Sequence, residues 1–118
     1  MTPYAEALHW IERHPDTGSG VGLAKLILSL WNTDCGFGFR ECVGALDDDR
    51  SALALRVVQH FTMVGEDAEL IEVGHAVCKA LPRLWEASRA MQQARSELRD
   101  RWYREEREAE EARERQEG

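Results

Sequence analysis

The chain has 118 residues, 43% of them hydrophobic, which is the usual content of one soluble globular domain. Because no apolar run approaches the roughly 18 residues of a membrane span and the N-terminus lacks a signal-peptide pattern, we expect a cytoplasmic protein without membrane contact. The formal net charge of −7 argues against direct nucleic-acid binding, because domains that bind through phosphate contacts carry a basic excess.

Two helices are predicted in the first third of the chain. The first runs from Pro3 to about His14, because apolar residues recur there at helical spacing and Thr2 can cap the N-terminus. A dense run of turn-forming residues at 15–20 ends this helix. The second helix runs from about Val21 to Trp31, and it is apolar on nearly every side, which predicts a place at the centre of the core.

A glycine-containing loop with two phenylalanines follows. Since loops rarely expose two large aromatic side chains, Phe37 and Phe39 are predicted to pack back into the core. A short helix is expected over 40–46. A longer apolar helix is expected over 50–64, with Gly65 as its C-terminal cap.

The next helix is predicted over 67–80, where apolar residues trace a single face. Pro82 suits the first turn of a further helix. Because no window alternates with a period of two and no hairpin turn pair occurs, the predicted fold class is all-α. We expect a compact bundle of four to five helices over residues 1–81 and a long C-terminal helical arm over 82–118.

The arm divides into two parts. In the first, Leu84, Ala87, Met91, Ala94 and Leu98 follow the alternating three- and four-residue spacing of a coiled-coil seam. Residues 84–103 are therefore expected to pack on the body, on a second copy in a homodimer, or on a target. Residues 105–118 are almost entirely charged and are predicted to be a solvated continuation of the helix.

Charge is distributed unevenly. Residues 34–72 contain nine acidic residues and three arginines, whereas residues 79–104 contain seven basic and three acidic residues. These regions are expected to face each other, within one molecule or across a dimer, or to contact a partner. The candidate partner-binding residues are Trp85, Arg95, Leu98, Arg99, Trp102 and Tyr103 on the arm, and Asp47, Asp48, Asp49, Glu66, Asp67 and Glu69 on the acidic region.

No arrangement of residues carries a specific catalytic, metal or cofactor pattern. His75 and Cys78 are three residues apart and could reach one zinc ion, but Cys35 and Cys42 lack knuckle spacing, so whether the four cluster is left open. The three consecutive aspartates at 47–49 are interpreted as helix capping rather than as a cation site. The chain is therefore predicted to be non-catalytic and to bind no metal or cofactor.

Several short segments between Gly18 and Gly65 resemble uncharacterised small helical proteins encoded by phages and integrative elements. The segments are Gly20-Val21-Gly22-Leu23-Ala24, Leu30-Trp31-Asn32, Phe37-Gly38-Phe39 and the aspartates after Leu46. The resemblance implies an accessory protein of a mobile element. Such proteins are often inhibitors that occupy the nucleic-acid site of a host protein, including inhibitors of CRISPR defence.

Two functions are therefore expected. The first is a non-catalytic accessory protein that binds and blocks a host protein or complex, for example a CRISPR-Cas effector or a nuclease. The alternative is an adaptor or regulator that self-associates through a coiled coil formed by its arm.

Overall fold

The computed structural model describes the backbone of residues 1–118 and every side chain except that of Cys35. Within this described part the fold is all-α and contains no strand, as the sequence predicts. The α-helices are α1 (Pro3–Arg13), α2 (Gly18–Trp31), α3 (Phe39–Val43), α4 (Asp48–Val64), α5 (Ala68–Ala80) and α6 (Pro82–Glu117), and a single 3₁₀ turn (Thr33–Cys35) follows α2.

Local capping explains most of the helix boundaries. The side chains of Thr2, Asp47 and Asp67 accept hydrogen bonds from backbone N–H groups in the first turns of α1, α4 and α5. Gly65 ends α4 with a φ of 67°, and Pro82 occupies the first turn of α6. The Thr2 and Gly65 caps and the place of Pro82 in the first turn of α6 were predicted from the sequence and are confirmed.

Helix α2 forms the centre of the body, as its apolar composition predicts. It packs against α1, α3, α4 and α5, and its Leu23, Ile27 and Leu28 side chains have no exposed surface. Helices α1 and α5 also pack against each other on one side of α2. The result is a body of five helices, within the predicted range of four to five.

Three predicted helix starts are wrong by one to three residues. Helix α2 begins at Gly18 rather than at Val21, because Thr17 caps the backbone N–H of Gly20 at 3.0 Å. Helix α4 begins two residues before the predicted start because Asp47 is its cap. Helix α3 spans residues 39–43 instead of 40–46, since Gly38 precedes it and Gly44 ends it.

The two loop phenylalanines have different environments. Phe37 is partly buried against the core, and its backbone N–H donates to Ser29 Oγ at 3.0 Å. Phe39, in contrast, is 74% exposed, so the prediction that it packs into the core is wrong. Because Phe39 is the first residue of α3, the direction of its side chain is set by that helix instead of by the loop.

Helix α6 is a single continuous helix of 36 residues, about 54 Å long at 1.5 Å per residue. Its first half lies against the body, whereas all of residues 101–118 are exposed. The molecule accordingly measures 65 × 30 × 24 Å. No described helix is both long enough and apolar enough to span a membrane.

Candidate protein-binding surfaces

The first half of α6 is held on the body by aromatic and arginine contacts. The Trp85 ring lies against the Trp31 ring, with centroids 5.6 Å apart. Further along α6, Arg95 Nη1 donates to the Thr33 carbonyl oxygen at 3.0 Å, and Arg99 pairs with the Asp34 carboxylate. Three predicted arm residues, Trp85, Arg95 and Arg99, therefore contact the chain's own body at α2 and the 3₁₀ turn.

The stripe of α6 that faces the body overlaps the predicted seam only in part: Leu84, Met91 and Leu98 are half-buried, and Leu84 packs against the core. Ala87 and Ala94, two of the five seam residues, are exposed. Ser88 is fully buried instead, and Arg95 makes the contact with the 3₁₀ turn. The arm thus packs on the body through positions 84, 85, 88, 91, 92 and 98, and Arg95 and Arg99 add contacts from its edge, whereas the exposed alanines lie on its flank.

The second half of α6 carries two exposed aromatic side chains. Trp102 is 49% exposed and Tyr103 is 62% exposed, although Leu98, one turn earlier, is half-buried. Two ion pairs form within this half of the helix, Arg101–Glu105 at 3.5 Å and Arg107–Glu111 at 3.7 Å. Such pairs stabilise an isolated helix by about 0.2–0.5 kcal/mol each, so they support the projecting segment only weakly.

The six acidic candidate residues lie in two groups at opposite ends of α4. Asp47, Asp48 and Asp49 surround its N-terminus, and Glu66, Asp67 and Glu69 follow its C-terminus. The 17 residues of α4 separate the groups by about 25 Å.

Several of these carboxylates serve the fold. Asp47 and Asp67 cap α4 and α5, and Glu69 accepts a hydrogen bond from the Thr2 hydroxyl at 2.5 Å. Asp48, Asp49 and Glu66 are the exposed members that do not cap a helix. The structure therefore presents two separate acidic ends instead of one continuous acidic surface.

An apolar groove that the sequence analysis missed lies between α3 and α4. It has a volume of about 210 Å³ and is lined by Phe39, Val43 and Leu46 on one side and by Ala54, Leu55 and Val58 on the other. We call it the α3–α4 groove. Helices α3 and α4 both pack against α2, and the groove is the space that remains between them.

The signal for this groove was present in the sequence of α4. Leu55 lies outside the apolar stripe that includes Leu53, Ala54 and Val57, and it is 72% exposed. A leucine on the outer face of an amphipathic helix indicates a second contact surface when another exposed apolar residue is nearby. That second residue is Phe39, which the sequence analysis assigned to the core.

The charged side chains near the α3–α4 groove do not line it. Glu41 lies on the face of α3 opposite Phe39 and Val43, about 200° around the helix from Phe39, and its carboxylate accepts a hydrogen bond from the Gly38 N–H at 2.8 Å. This bond and the Lys25 ammonium at 3.5 Å lower the pKa of Glu41 from its usual value, so Glu41 is ionised at neutral pH. Asp48 is two helical turns before Leu55 on the outer face of α4.

The thiol of Cys42 and the imidazole of His75 lie in different environments. Cys42 is buried on α3, and this burial raises the pKa of its thiol, which makes it a poor nucleophile. His75 is exposed and stands edge-on to the Trp31 ring, with centroids 5.3 Å apart. Among the described side chains no three His, Cys, Asp or Glu residues are arranged to hold a metal ion, and the side chain of Cys35 lies outside that description.

Comparison of the chain with protein-family models, with curated proteins and with solved structures finds no match. The functional argument therefore depends on the exposed surfaces themselves.

Proposed function

We propose that this chain is a non-catalytic binding protein that attaches to a host protein complex and blocks it. The observation that carries the proposal is the exposed pair Trp102 and Tyr103 on the projecting half of α6. Tryptophan, tyrosine and arginine supply most of the energy at protein interfaces, and Arg101 and Arg104 flank this pair. Exposed aromatic side chains on a projecting helix add little to the stability of the fold, but they can contact a partner.

The docked half of α6 supports this function by orienting the projecting half. The Trp85 contact and the two arginine contacts fix the direction of the helix before a partner arrives. A segment that is already ordered loses less conformational entropy when it binds. A helix held in this way can present Trp102 and Tyr103 to a groove or flat surface on the partner.

The proposed target is a host protein with a basic surface, of the kind that binds nucleic acid. The exposed acidic side chains of Asp48, Asp49 and Glu66 would complement such a surface in addition to the arm. A CRISPR effector complex or a nuclease has this character, and blocking its nucleic-acid site requires binding alone. The proposed location is the cytoplasm, where such targets act.

A pull-down from a bacterial lysate with the full-length chain tests the proposal. Trp102→Ala should reduce retention of the specific target at least about tenfold, because truncation of a hot-spot residue typically costs 2 kcal/mol or more. Glu108→Ala, an equally simple truncation at an exposed position on the opposite face of the same segment, is the matched control and should retain the target. Adding the wild-type chain should also inhibit the activity of the retained target.

Two results would contradict the proposed function. One is that the wild-type chain retains no host protein above background. The other is that Trp102→Ala retains the same protein as the wild-type chain, which would show that the exposed aromatic pair is not the contact.

The second candidate function is self-association through the flank of α6. Ala87 and Ala94 are exposed there and, with the half-buried Met91 and Leu98, keep the spacing of a coiled-coil seam. If two copies pair along this flank, Ala94→Arg should convert a dimer to a monomer in light scattering. Ala90→Arg, an exposed position outside the seam, should leave the dimer intact, and a monomeric wild-type chain would refute this candidate.

A further inference from the structure

The flank of α6 continues past the docked half to the end of the helix. On the same side of the helix as Leu98, the projecting half carries Glu105, Ala109, Ala112 and Gln116, spaced by four, three and four residues. All four of these side chains are exposed. The side of α6 that could receive a second helix therefore runs from the body to the end of the arm.

A depression lies where this flank begins, between α6 and α2. It has a volume of about 340 Å³ and is lined by Val21, Lys25, Leu81, Arg83, Leu84 and Ala87. Four of these side chains are apolar and two are cationic. Arg83 is exposed and forms no ion pair among the described side chains, whereas Lys25 is 3.5 Å from Glu41. The start of the flank therefore offers an apolar surface beside a free positive charge.

The docked and projecting halves of α6 have nearly the same length. Residues 82–100 form the docked half and residues 101–117 the projecting half, which gives lengths of about 28 and 26 Å at 1.5 Å per residue. Two copies that pair in antiparallel orientation about the middle of α6 would therefore match end to end. The end of each projecting half would then lie at the start of the other copy's flank, beside the depression.

The charges along α6 favour this orientation over a parallel one. Residues 105–118, which we call the tip, contain seven glutamates and three arginines and have a net charge of −4. Residues 82–94 contain two arginines and one glutamate, a net charge of +1. A parallel pair would place the two tips side by side, where they repel, whereas an antiparallel pair places each tip beside residues 82–94 and the free Arg83. Residues 95–104 meet their own copy in both orientations, so their charge does not discriminate.

We propose that the flank of α6 binds the flank of a second copy in antiparallel orientation, so that the acidic tip of each copy lies along the docked half of the other, beside α2. Ala112 then lies near Ala87 of the second copy, where two small side chains allow the helices to approach closely. The inference rests on the second candidate function, self-association, and specifies its orientation and the segment that each copy binds. Tyr103 lies on the opposite side of α6 and stays available to a host protein.

Light scattering of the full-length chain at increasing salt concentration tests the orientation. We expect a dimer whose dissociation constant rises about fivefold or more between about 0.05 and about 0.5 M NaCl, because salt screens the attraction between the tip and the docked half. A parallel dimer would respond in the opposite direction, because salt would screen the repulsion between its two tips.

Reversing the charge of the tip gives a second test with opposite expectations. The triple variant Glu105→Arg, Glu106→Arg and Glu108→Arg changes the net charge of the tip from −4 to +2. It should weaken an antiparallel dimer at least about fivefold, whereas it would strengthen a parallel dimer by relieving the repulsion between the tips. The matched control, with arginine at 110, 111 and 114, makes the same change of charge on the opposite side of the helix and should weaken the dimer less.

A single substitution shows whether the tip is part of the contact. Ala112→Arg should weaken the dimer at least about tenfold, because it places a long charged side chain between the two helices. Glu114→Arg introduces the same side chain on the opposite side of α6 and should leave the dimer largely intact. Circular dichroism checks that the helical content of both variants equals that of the wild-type chain, since both positions are exposed and arginine favours a helix.

The antiparallel arrangement is overturned if the dimer strengthens with salt, if the triple variant binds as tightly as the wild-type chain or more tightly, or if Ala94→Arg dissociates the dimer and Ala112→Arg does not. Each of these results leaves self-association itself intact. A wild-type chain that is monomeric would instead refute both self-association and this inference. Retention of a host protein in the pull-down is measured separately and is decided by Trp102→Ala.

Discussion

Gly74 lies at the point where α5, the end of α2 and the arm meet. A Cβ atom at position 74 would be 2.7 Å from Cδ2 and 2.8 Å from Cγ of Trp31. The same Trp31 ring is bordered by His75 and by Trp85, with centroids 5.3 and 5.6 Å away. A methyl group at position 74 therefore presses on a ring that has neighbours on two further sides.

The expected magnitude for Gly74→Ala follows from two opposing effects. The Trp31 ring must retreat by roughly 0.7 Å to restore ordinary contact, and Cγ is too close to the backbone for a side-chain rotation to achieve this. Overpacking of this kind costs about 1–3 kcal/mol. Replacing glycine by alanine inside a helix gains about 1 kcal/mol, so we expect a net destabilisation of about 1 kcal/mol.

Urea denaturation followed by far-ultraviolet circular dichroism measures this effect without depending on tryptophan fluorescence. The control is the same substitution in a Trp31→Leu background, where the obstructing ring is absent. There Gly74→Ala should stabilise the chain by up to about 1 kcal/mol, because only the helix propensity remains. A steric clash with Trp31 is refuted if Gly74→Ala is neutral or stabilising in the wild-type chain. It is also refuted if the change in the free energy of unfolding has the same sign in both backgrounds.

Two further predictions concern a buried hydroxyl and an ion pair. Ser88 is 0% exposed, and its Oγ has no hydrogen-bond partner in the described part of the chain. Ser88→Ala should therefore raise the free energy of unfolding by about 1 kcal/mol, which is more than Ser96→Ala should do at an exposed position of α6. A loss of stability in Ser88→Ala would contradict this prediction. Arg56 donates two hydrogen bonds to Glu6, at 2.7 and 3.1 Å, which lowers the pKa of Glu6. A carboxyl group whose pKa is lower in the folded than in the unfolded state stabilises the fold when the pH is above its unfolded-state pKa. This stabilisation is lost as the pH falls through the folded-state pKa. Glu6→Gln should therefore lower the melting temperature at neutral pH but not in acid, and an equal loss at both would refute the assignment.

The helix ends were predictable because their causes are local. A side-chain oxygen at Thr2, Asp47 or Asp67 reaches a backbone N–H only three residues away, so the pattern is visible in a short window. The start of α2 was missed for a local reason too. Its first residues include Gly18 and Gly20, which are typical of a turn, although the Thr17 side chain before them caps the helix.

The groove could not be predicted because its causes are not local. Phe39 and Leu55 are 16 residues apart in sequence and line the same groove only because α3 and α4 both rest on α2. The composition of α3 and of α4 does not indicate that these two helices will lie next to each other. The sequence supports the expectation that a large aromatic residue is buried, and Phe39 departs from it at the edge of the groove.

The register of the arm shows why a heptad pattern alone does not identify the surface it will cover. Leu84, Met91 and Leu98 belong to the predicted seam and are also half-buried against the body, so apolar spacing fits either surface. The observed register is the one in which Trp85 lies against Trp31, Ser88 is buried, and Arg95 and Arg99 contact the 3₁₀ turn. Docking therefore uses one stripe of α6 and leaves its flank and its aromatic end exposed. Because these remaining surfaces are chemically different, a dimer along the flank and a host protein at the end need not exclude each other, and Ala94→Arg and Trp102→Ala should impair them independently.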